Sequence, residues 1–160
     1  MIKKTILFFT ILYLFASCSK SSGTGGCGYS ESGVVATAAE IAVLQAYVNA
    51  SHPGAIQHAS GIYYEITAPG SGAGPSVCST ITVKYSGYLT SGFKFDENLV
   101  GTNFVLGQLV VGWQKGLPLI KKGGSINLYV PPSMGYGSTV YGNIPANSYL
   151  VFVIQMTDVL

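Results

Sequence analysis

Apolar and polar residues alternate with a period of two along much of the chain after Gly61. This alternation is typical of strands that bury one face of a sheet. Leu150 to Leu160 is apolar on both faces at its start, as a central strand would be, and Gly112 to Leu119, with Trp113, predicts a short helix. The other expected strands carry apolar residues at Ile62, Tyr64 and Ile66, at Ile81, Val83 and Tyr85, at Phe93 and Phe95, at Phe104 to Leu106, and at Ile126, Leu128 and Val130. The pattern predicts an α+β domain in which an antiparallel sheet packs on one short helix.

An extra helix is expected before these strands. Thr37 to Ala50 carries apolar residues at helical spacing. Thr37 and Glu40 fit a capping box, which would satisfy two backbone donors at the start of that helix. His52-Pro53-Gly54 would end it. Residues 37–60 are therefore predicted to form an N-terminal helix and a linker.

The N-terminus has the features of an export signal. Met1 to Lys4 carries two lysines, and Thr5 to Ala16 is an apolar run of about a dozen residues, shorter than the roughly 20 needed to span a bilayer. Phe15-Ala16-Ser17-Cys18 then resembles the bacterial lipobox, although Leu is commonest where Phe15 stands. The resemblance predicts a lipoprotein signal peptide over residues 1–17 and a lipid on Cys18. The alternative is an ordinary secretory signal with a coincidental cysteine.

Residues 18–36 are rich in Ser and Gly and predict a flexible tether between the anchor and the folded part. The chain has three cysteines. If Cys18 carries lipid, Cys27 and Cys78 remain, and they could pair in an oxidising cell envelope. Two free thiols are the alternative, because pairing depends on geometry.

The charge of the chain excludes one class of partner. Only 9% of residues are charged, and the chain has no arginine. Without Lys3 and Lys4, six lysines face six acidic residues, so there is no clustered basic footprint for nucleic acid. His52 and His58 have no accompanying cluster of cysteines or acids, so we expect no metal and no cofactor.

Six short motifs follow one another over about 100 residues and together resemble the FKBP-type peptidyl-prolyl cis-trans isomerases. Each motif alone is weak, but their order and spacing are specific. They are Val83-Lys84-Tyr85-Ser86-Gly87, Gly92-Phe93-Lys94-Phe95-Asp96, Phe104-Val105-Leu106-Gly107, Gly112-Trp113-Gln114-Lys115-Gly116, Tyr136-Gly137, and Ile144-Pro145 with Leu150-Val151-Phe152. The resemblance implies an FKBP-like fold over residues 61–160, in which a strongly twisted sheet wraps around the short helix.

The resemblance also implies a substrate pocket. Trp113 would form its floor, Asp96 would lie at its rim near Tyr85, and the backbone N–H of Val110 and the Tyr136 hydroxyl would face substrate carbonyl groups. Phe104 is expected in the core rather than in the pocket. The walls would be formed by Tyr85, Phe95, Leu109, Val110, Ile144 and Phe152.

The chain departs from the family pattern at positions that touch residues flanking the proline. Thr102 stands where an aromatic residue is frequent, and Tyr141 lies near the position of a familiar histidine. Met134 replaces the first tyrosine of the Tyr-x-Tyr-Gly motif. The changes at Thr102 and Tyr141 bear on sequence preference and on inhibitor affinity more than on activity, whereas the Met134 position is more structural.

The implied function is isomerisation of X-Pro bonds in exported polypeptides, by a protein held in the bacterial cell envelope through its lipid and facing the periplasm. Macrolide-type inhibitors are expected ligands of such a pocket, and the oligomeric state stays open. A catalytically weak binding or chaperone module for Pro-containing or apolar segments is the first alternative, and a structural envelope domain is the second. The family's chaperones usually carry a large insertion before the last strand, whereas Gly137 and Val151 are close in this sequence.

Overall fold

A computed structural model of the protein describes residues 27–160. Its strands form one six-stranded sheet in the order β1-β2-β5-β6-β3-β4, and every neighbouring pair is antiparallel. This confirms the predicted α+β fold, with a short helix against the sheet and a further helix before it. The elements are α1 (Ala38–Ser51), β1 (Ile56–Gln57), β2 (Tyr63–Ala68), β3 (Thr80–Leu89), β4 (Lys94–Val105), α2 (Val111–Gly116), β5 (Ser125–Val130) and β6 (Leu150–Val159), with short 3-10 turns at Leu106–Gln108, Leu117–Leu119 and Pro132–Met134.

One face of the sheet packs on α2 and forms the main core. Gly112 and Gly116 lie one helical turn apart on α2, and a Cβ on either would come within 2.6 Å of Val130 or Leu128 on β5. Because neither glycine has a side chain, α2 approaches the sheet closely and sets Trp113 against it. The fully buried members of this core are Ile62, Ile81, Val83, Leu106, Leu117, Ile120, Ile126, Leu128, Val130, Met134, Leu150, Ile154 and Met156.

Helix α1 covers part of the opposite face of the sheet. Tyr63, Tyr129 and Val151 are paired across β2, β5 and β6, so their side chains share a face, and they pack with Leu44 and Val48 of α1. Tyr63 is therefore buried whereas Ile66 is 42% exposed. The simple alternation predicted for this strand misses the burial of Tyr63, because α1 covers the face that carries Tyr63. Ile66 lies on the opposite face, in register with Ile126 of β5.

The start of α1 has the predicted geometry. The Thr37 hydroxyl accepts the backbone N–H of Glu40 at 3.2 Å, and the Glu40 carboxylate accepts the backbone N–H of Thr37 at 2.9 Å. This reciprocal pair satisfies two donors that the first helical turn leaves without partners.

A single long strand, β4, stands where two short strands were predicted. It pairs with β3 from Lys94 to Val105, through polar residues that gave no strand pattern. β4 is at the edge of the sheet, so its side chains need not alternate in burial. Asn98 stabilises an irregularity within it, because its side-chain oxygen accepts the backbone N–H groups of Val100 at 3.2 Å and Gly101 at 2.9 Å.

The described part of the chain begins against the domain. Cys27 and Cys78 form a disulfide with their Cα atoms 5.7 Å apart, and the backbone N–H of Ala36 donates to Ser60 at 2.9 Å. The predicted signal peptide, the lipidation site Cys18 and the first part of the tether lie outside the described residues. From residue 27 to residue 160, no helix combines the length and apolar character needed to cross a membrane.

Candidate functional site

A cavity of about 300 Å³ opens between α2, β3, β4 and the loop before β6. Most of its lining is aromatic or aliphatic, and only a few polar groups reach it. Its volume lies at the lower end of the range for small-ligand sites, as a proline side chain and its neighbouring peptide groups would require. The lining residues are Tyr85, Phe95, Asp96, Phe104, Gln108, Leu109, Val110, Trp113, Tyr136, Tyr141 and Phe152.

Trp113 forms the floor of this cavity. Three rings meet its indole edge to face: Tyr85 at 5.3 Å, Phe152 at 5.3 Å and Phe104 at 6.3 Å between ring centroids. Edge-to-face packing is a favoured aromatic geometry and holds the indole in one orientation. The indole N–H is buried and has no hydrogen-bond partner among residues 27–160, so the floor retains an unsatisfied donor.

The wall formed by Phe95 depends on a bulge in β4. Gly87 of β3 pairs with Asp96, but the next residue, Tyr88, pairs with Lys94, so Phe95 is an extra residue. Such a bulge re-aims a side chain, and here the Phe95 ring meets Phe152 edge to face at 5.7 Å. A Cβ on Gly87 would come within 2.6 Å of the Phe95 ring, so only glycine permits this approach.

The rim carries a tyrosine–carboxylate pair. The Tyr85 hydroxyl donates to the Asp96 carboxylate at 2.6 Å, and the other oxygen of that carboxylate accepts the backbone N–H of Glu97 at 2.8 Å. Burial raises the pKa of Tyr85, and the hydrogen bond to Asp96 raises it further. Tyr85 therefore stays a neutral phenol across the physiological pH range, and its ring orientation is fixed by Asp96.

Tyr136 and Tyr141 form the mouth of the cavity. Their rings are stacked, with centroids 4.6 Å apart and planes 10° from parallel. Burial raises the pKa of Tyr136, and the nearby acidic groups of Tyr141 and Asp96 raise it further. The Tyr136 hydroxyl consequently keeps its proton at neutral pH and can donate a hydrogen bond to a ligand carbonyl.

Helix α1 helps to hold the turn that leads into Tyr136. Glu40 accepts the backbone N–H of Ser133 at 2.8 Å and the Ser133 hydroxyl at 2.9 Å, in addition to its capping bonds with Thr37. Partial burial acts to raise the pKa of Glu40, but these hydrogen bonds outweigh it and keep the pKa below its ordinary value. The α1 face of the sheet is thus connected to the mouth of the cavity.

The loop before α2 offers a second donor. Gln114 donates through its side chain to the carbonyl oxygen of Leu109 at 2.7 Å and to that of Gly107 at 3.3 Å, which fixes this loop. Within residues 27–160, the backbone N–H of Val110 has no hydrogen-bond acceptor, so it is available to a ligand.

Most of the sequence-predicted pocket residues meet at this cavity, but two do not line it. Ile144 is 4% exposed and lies behind the mouth, where its backbone exchanges two hydrogen bonds with Tyr141. Thr102 pairs with Val83 on β3 and is absent from the lining. The predicted residues that do line it are Tyr85, Phe95, Asp96, Leu109, Val110, Trp113, Tyr136, Tyr141 and Phe152.

Two lining residues differ from the sequence-based expectation. Phe104 was expected in the core, but it is only partly buried and its ring reaches both Tyr85 and Trp113. Phe104 pairs with Ile81, which lies four residues before Tyr85 on β3 and shares its face, so both rings lie on the helix-facing side of the sheet. Gln108 was not predicted to contribute. Its position directly after the Phe104-to-Gly107 motif was the only available signal.

The polar groups at the site are suited to binding a peptide. Among residues 27–160, no three His, Cys, Asp or Glu side chains are placed together to hold a metal ion. The polar groups that reach the cavity are hydroxyls, a carboxylate bonded to one of them, an amide and a backbone N–H. They can orient a peptide and stabilise its carbonyl groups.

Comparison with known proteins agrees with this geometry. A family profile described as FKBP-type peptidyl-prolyl cis-trans isomerase matches residues 72–157. The isomerase FkpA of Buchnera aphidicola from Schizaphis graminum is 40% identical over 110 residues, and FkpA of Escherichia coli K12 is 36% identical over 113 residues. These matches cover 66% and 69% of this chain but only 44% and 42% of the two relatives, so the chain spans less than half of their length.

Solved structures are similar as well. The crystal structure of FkpA from Escherichia coli superposes with a TM-score of 0.68 over 76% of this chain and 60% of that one, at 36% identity. A peptidyl-prolyl cis-trans isomerase of Pseudomonas syringae superposes with a TM-score of 0.67 at 27% identity, over 78% of this chain and 96% of its own.

Proposed function

The chain belongs to the FKBP-type peptidyl-prolyl cis-trans isomerase family, and on this premise we propose that its cavity catalyses rotation about X-Pro peptide bonds. The observation that carries the proposal is the aromatic cup itself, with Trp113 at the bottom and the Tyr136 hydroxyl at the mouth. The proline ring of a substrate would lie on the indole, between the Phe95 and Phe152 walls. The Val110 N–H and the Tyr136 hydroxyl would donate to substrate carbonyl groups.

Such a cup matches what the reaction needs. Rotation about X-Pro is opposed by amide resonance, with a barrier of about 18–20 kcal/mol, and takes tens to hundreds of seconds without a catalyst. No covalent bond breaks, so the reaction requires no nucleophile, metal or proton transfer. Water stabilises the planar, more polar amide, whereas a dry apolar cavity that fits the twisted amide favours the transition state.

The free energies that the hydrogen bonds and the apolar cup can supply indicate which part of the site contributes most to catalysis. A ten-thousand-fold acceleration would require about 5.4 kcal/mol of transition-state stabilisation. Two hydrogen bonds at about 0.5–1.5 kcal/mol each supply roughly 1–3 kcal/mol. The larger share must therefore come from the apolar cup, through desolvation and shape, and the donors contribute the remainder.

The activity can be tested with a chain that begins at Ser19. We expect a catalytic amount to accelerate cis-trans exchange of a short proline peptide, and a macrolide-type inhibitor that occupies the same cavity to abolish the acceleration. A chain that binds the inhibitor without accelerating exchange would favour the alternative, a binding module for Pro-containing segments. A chain that does neither would contradict the proposed function.

We further propose that the protein works on exported polypeptides while anchored to an envelope membrane, facing the periplasm, through lipid on Cys18. The support is the short apolar run followed by Ala16-Ser17-Cys18. More than one acyl chain is implied, because a single chain anchors only marginally. Cell fractionation of wild type and Cys18→Ser tests this. Wild type should remain with membranes and the variant should be released, whereas equal release of both would contradict the anchor.

A further inference from the structure

The segment after Cys27 supplies a side chain that reaches the edge of the cavity. The hydroxyl of Tyr29 accepts a hydrogen bond of 2.6 Å from the side-chain nitrogen of Gln108. Gln108 lines the cavity, while Tyr29 lies 79 residues earlier in the sequence. The segment before α1 is thus in contact with the site, through a residue outside the six motifs that identify the pocket.

The ring of Tyr29 also packs on the backbone beneath Gln108. A Cβ on Gly107 would lie 2.6–2.9 Å from three atoms of Tyr29, closer than real contacts permit. The ring therefore rests directly on the 3-10 turn Leu106–Gln108, which continues into Leu109 and Val110. Movement of this turn would displace the Val110 N–H.

The disulfide holds both partners of the contact between Tyr29 and the turn Leu106–Gln108. It joins Cys27, two residues before Tyr29, to Cys78. The neighbours of Cys78 hold the turn, because the carbonyl oxygens of Val77 and Ser79 accept the backbone N–H groups of Gly107 at 2.8 Å and Leu106 at 3.0 Å. Tyr29 and the turn it covers are therefore anchored to one short stretch of chain.

We propose that Tyr29 is a positioning residue of the prolyl site, acting through Gln108 and the turn, and that Gln108 binds the peptide backbone beside the proline. A primary amide has two N–H donors and one carbonyl acceptor. After its bond to Tyr29, Gln108 retains a donor and its acceptor, which together match the carbonyl and N–H of an extended peptide. Holding that amide in one rotamer lowers the entropy lost on binding. The inference rests on the proposed function and extends it to recognition of the residues that flank the proline.

The test uses the purified full chain in detergent and a peptide with several residues on each side of one proline. Tyr29→Phe keeps the ring on Gly107 and removes the hydroxyl, Gln108→Ala removes its partner, and Tyr47→Phe is the matched control on the far face of the sheet. We expect Tyr29→Phe and Gln108→Ala each to raise KM roughly two- to ten-fold, the range of one lost hydrogen bond, with kcat nearly unchanged. The double variant should be no worse than Gln108→Ala alone.

The disulfide provides a second measurement. Cys27→Ser should raise KM in the same direction, and adding Tyr29→Ala to it should change KM little, because both changes release the same contact. A purely structural role for Tyr29 would instead lower the melting temperature and leave KM of the folded protein unchanged. Unchanged KM in Tyr29→Phe and Tyr29→Ala, or fully additive effects of Tyr29→Phe and Gln108→Ala, would overturn the proposal.

Failure of this inference can be told apart from failure of the proposed function. If the wild-type chain isomerises the peptide and the variants match it, only the role of Tyr29 is refuted. If the wild-type chain does not isomerise it, calorimetric binding of the same peptide decides, and weaker binding by Tyr29→Phe than by Tyr47→Phe would still support the positioning role. Absence of binding by the wild-type chain would refute both.

Discussion

The two faces of the sheet carry the same chemical pair in two different settings. On the α2 face, the Tyr85 hydroxyl donates to Asp96 at 2.6 Å at the rim of an open cavity. On the α1 face, the Tyr129 hydroxyl donates to Glu65, also at 2.6 Å, but Tyr129 is fully buried. Burial raises the pKa of Tyr129, and its hydrogen bond to Glu65 adds to the effect.

The two faces differ in how completely a helix covers their aromatic residues. Helix α1 closes the Tyr129 side with Leu44 and Val48, and the rings of Tyr47 and His52 pack on Tyr129 at 6.3 Å and 4.7 Å. On the other side, α2 is only six residues long and leaves the aromatic residues beside it exposed to a ligand. Similar aromatic residues are therefore part of a closed core where a helix covers them and line an open cavity where the helix ends.

The largest expected effect on catalysis follows removal of the floor. Trp113→Ala should lower kcat/KM about ten- to hundred-fold, equivalent to about 1.4–2.7 kcal/mol of transition-state stabilisation, and should cost about 3–5 kcal/mol of stability. Peptide isomerisation assays and urea unfolding measure the two effects. Because Trp113→Ala could unfold the chain, Trp113→Leu keeps most of the apolar volume, and it should stay folded while still losing activity. A folded Trp113→Leu with wild-type kcat/KM would contradict the assigned floor.

Truncating a buried side chain of α1 should reduce stability but leave catalysis unchanged. Leu44 is fully buried, and Leu44→Ala should reduce the free energy of unfolding by about 2–5 kcal/mol. Below the unfolding transition, kcat/KM should stay close to wild type, because Leu44 does not contact the cavity. A fall in kcat/KM comparable with that of Trp113→Leu would show that the two faces are not separable.

The two tyrosine–carboxylate pairs offer a matched comparison. Tyr129→Phe leaves the partly buried Glu65 without its closest donor, which should cost about 1–3 kcal/mol of stability, with little change in kcat/KM. Tyr85→Phe removes one hydrogen bond at the rim and should lower kcat/KM roughly two- to ten-fold, with a smaller loss of stability. Urea unfolding and kinetics on both variants check this. If Tyr129→Phe instead lost activity and Tyr85→Phe instead lost stability, the α2 face would not be the catalytic face.

The smallest effect concerns Glu40, which connects the faces. Its folded-state pKa lies below the ordinary 4.5, so its stabilising contribution is present above about pH 4.5 and is lost as the pH falls through the folded pKa. The carboxylate is only partly buried, so solvent screening limits the effect to less than about 1 kcal/mol. Urea unfolding should give the wild type a larger free energy of unfolding than Glu40→Gln at neutral pH. This difference should disappear in acid. A difference that widens in acid would contradict the hydrogen bonds described.

The sequence predicted the parts of this molecule that depend on local pattern. The capping box at Thr37 and Glu40 lies within one helical turn, and the ordered motifs identified Trp113 and Phe152. Phe104 could not be assigned to the lining from the sequence, because its face depends on the register of β4, which is set by bulges rather than by alternation. The contact between Tyr29 and Gln108 joins residues that no local pattern relates.

The central claim is that the α2 face binds and isomerises X-Pro peptides while the α1 face only supports it. NMR exchange spectroscopy on a proline peptide, with a catalytic amount of protein, measures the cis-trans rate and the protein's own shift changes together. We predict faster exchange, with the largest shift changes at lining residues such as Trp113 and Tyr136 and little change at Leu44 or Tyr129. Unaccelerated exchange, or shift changes centred on the α1 face, would contradict the account.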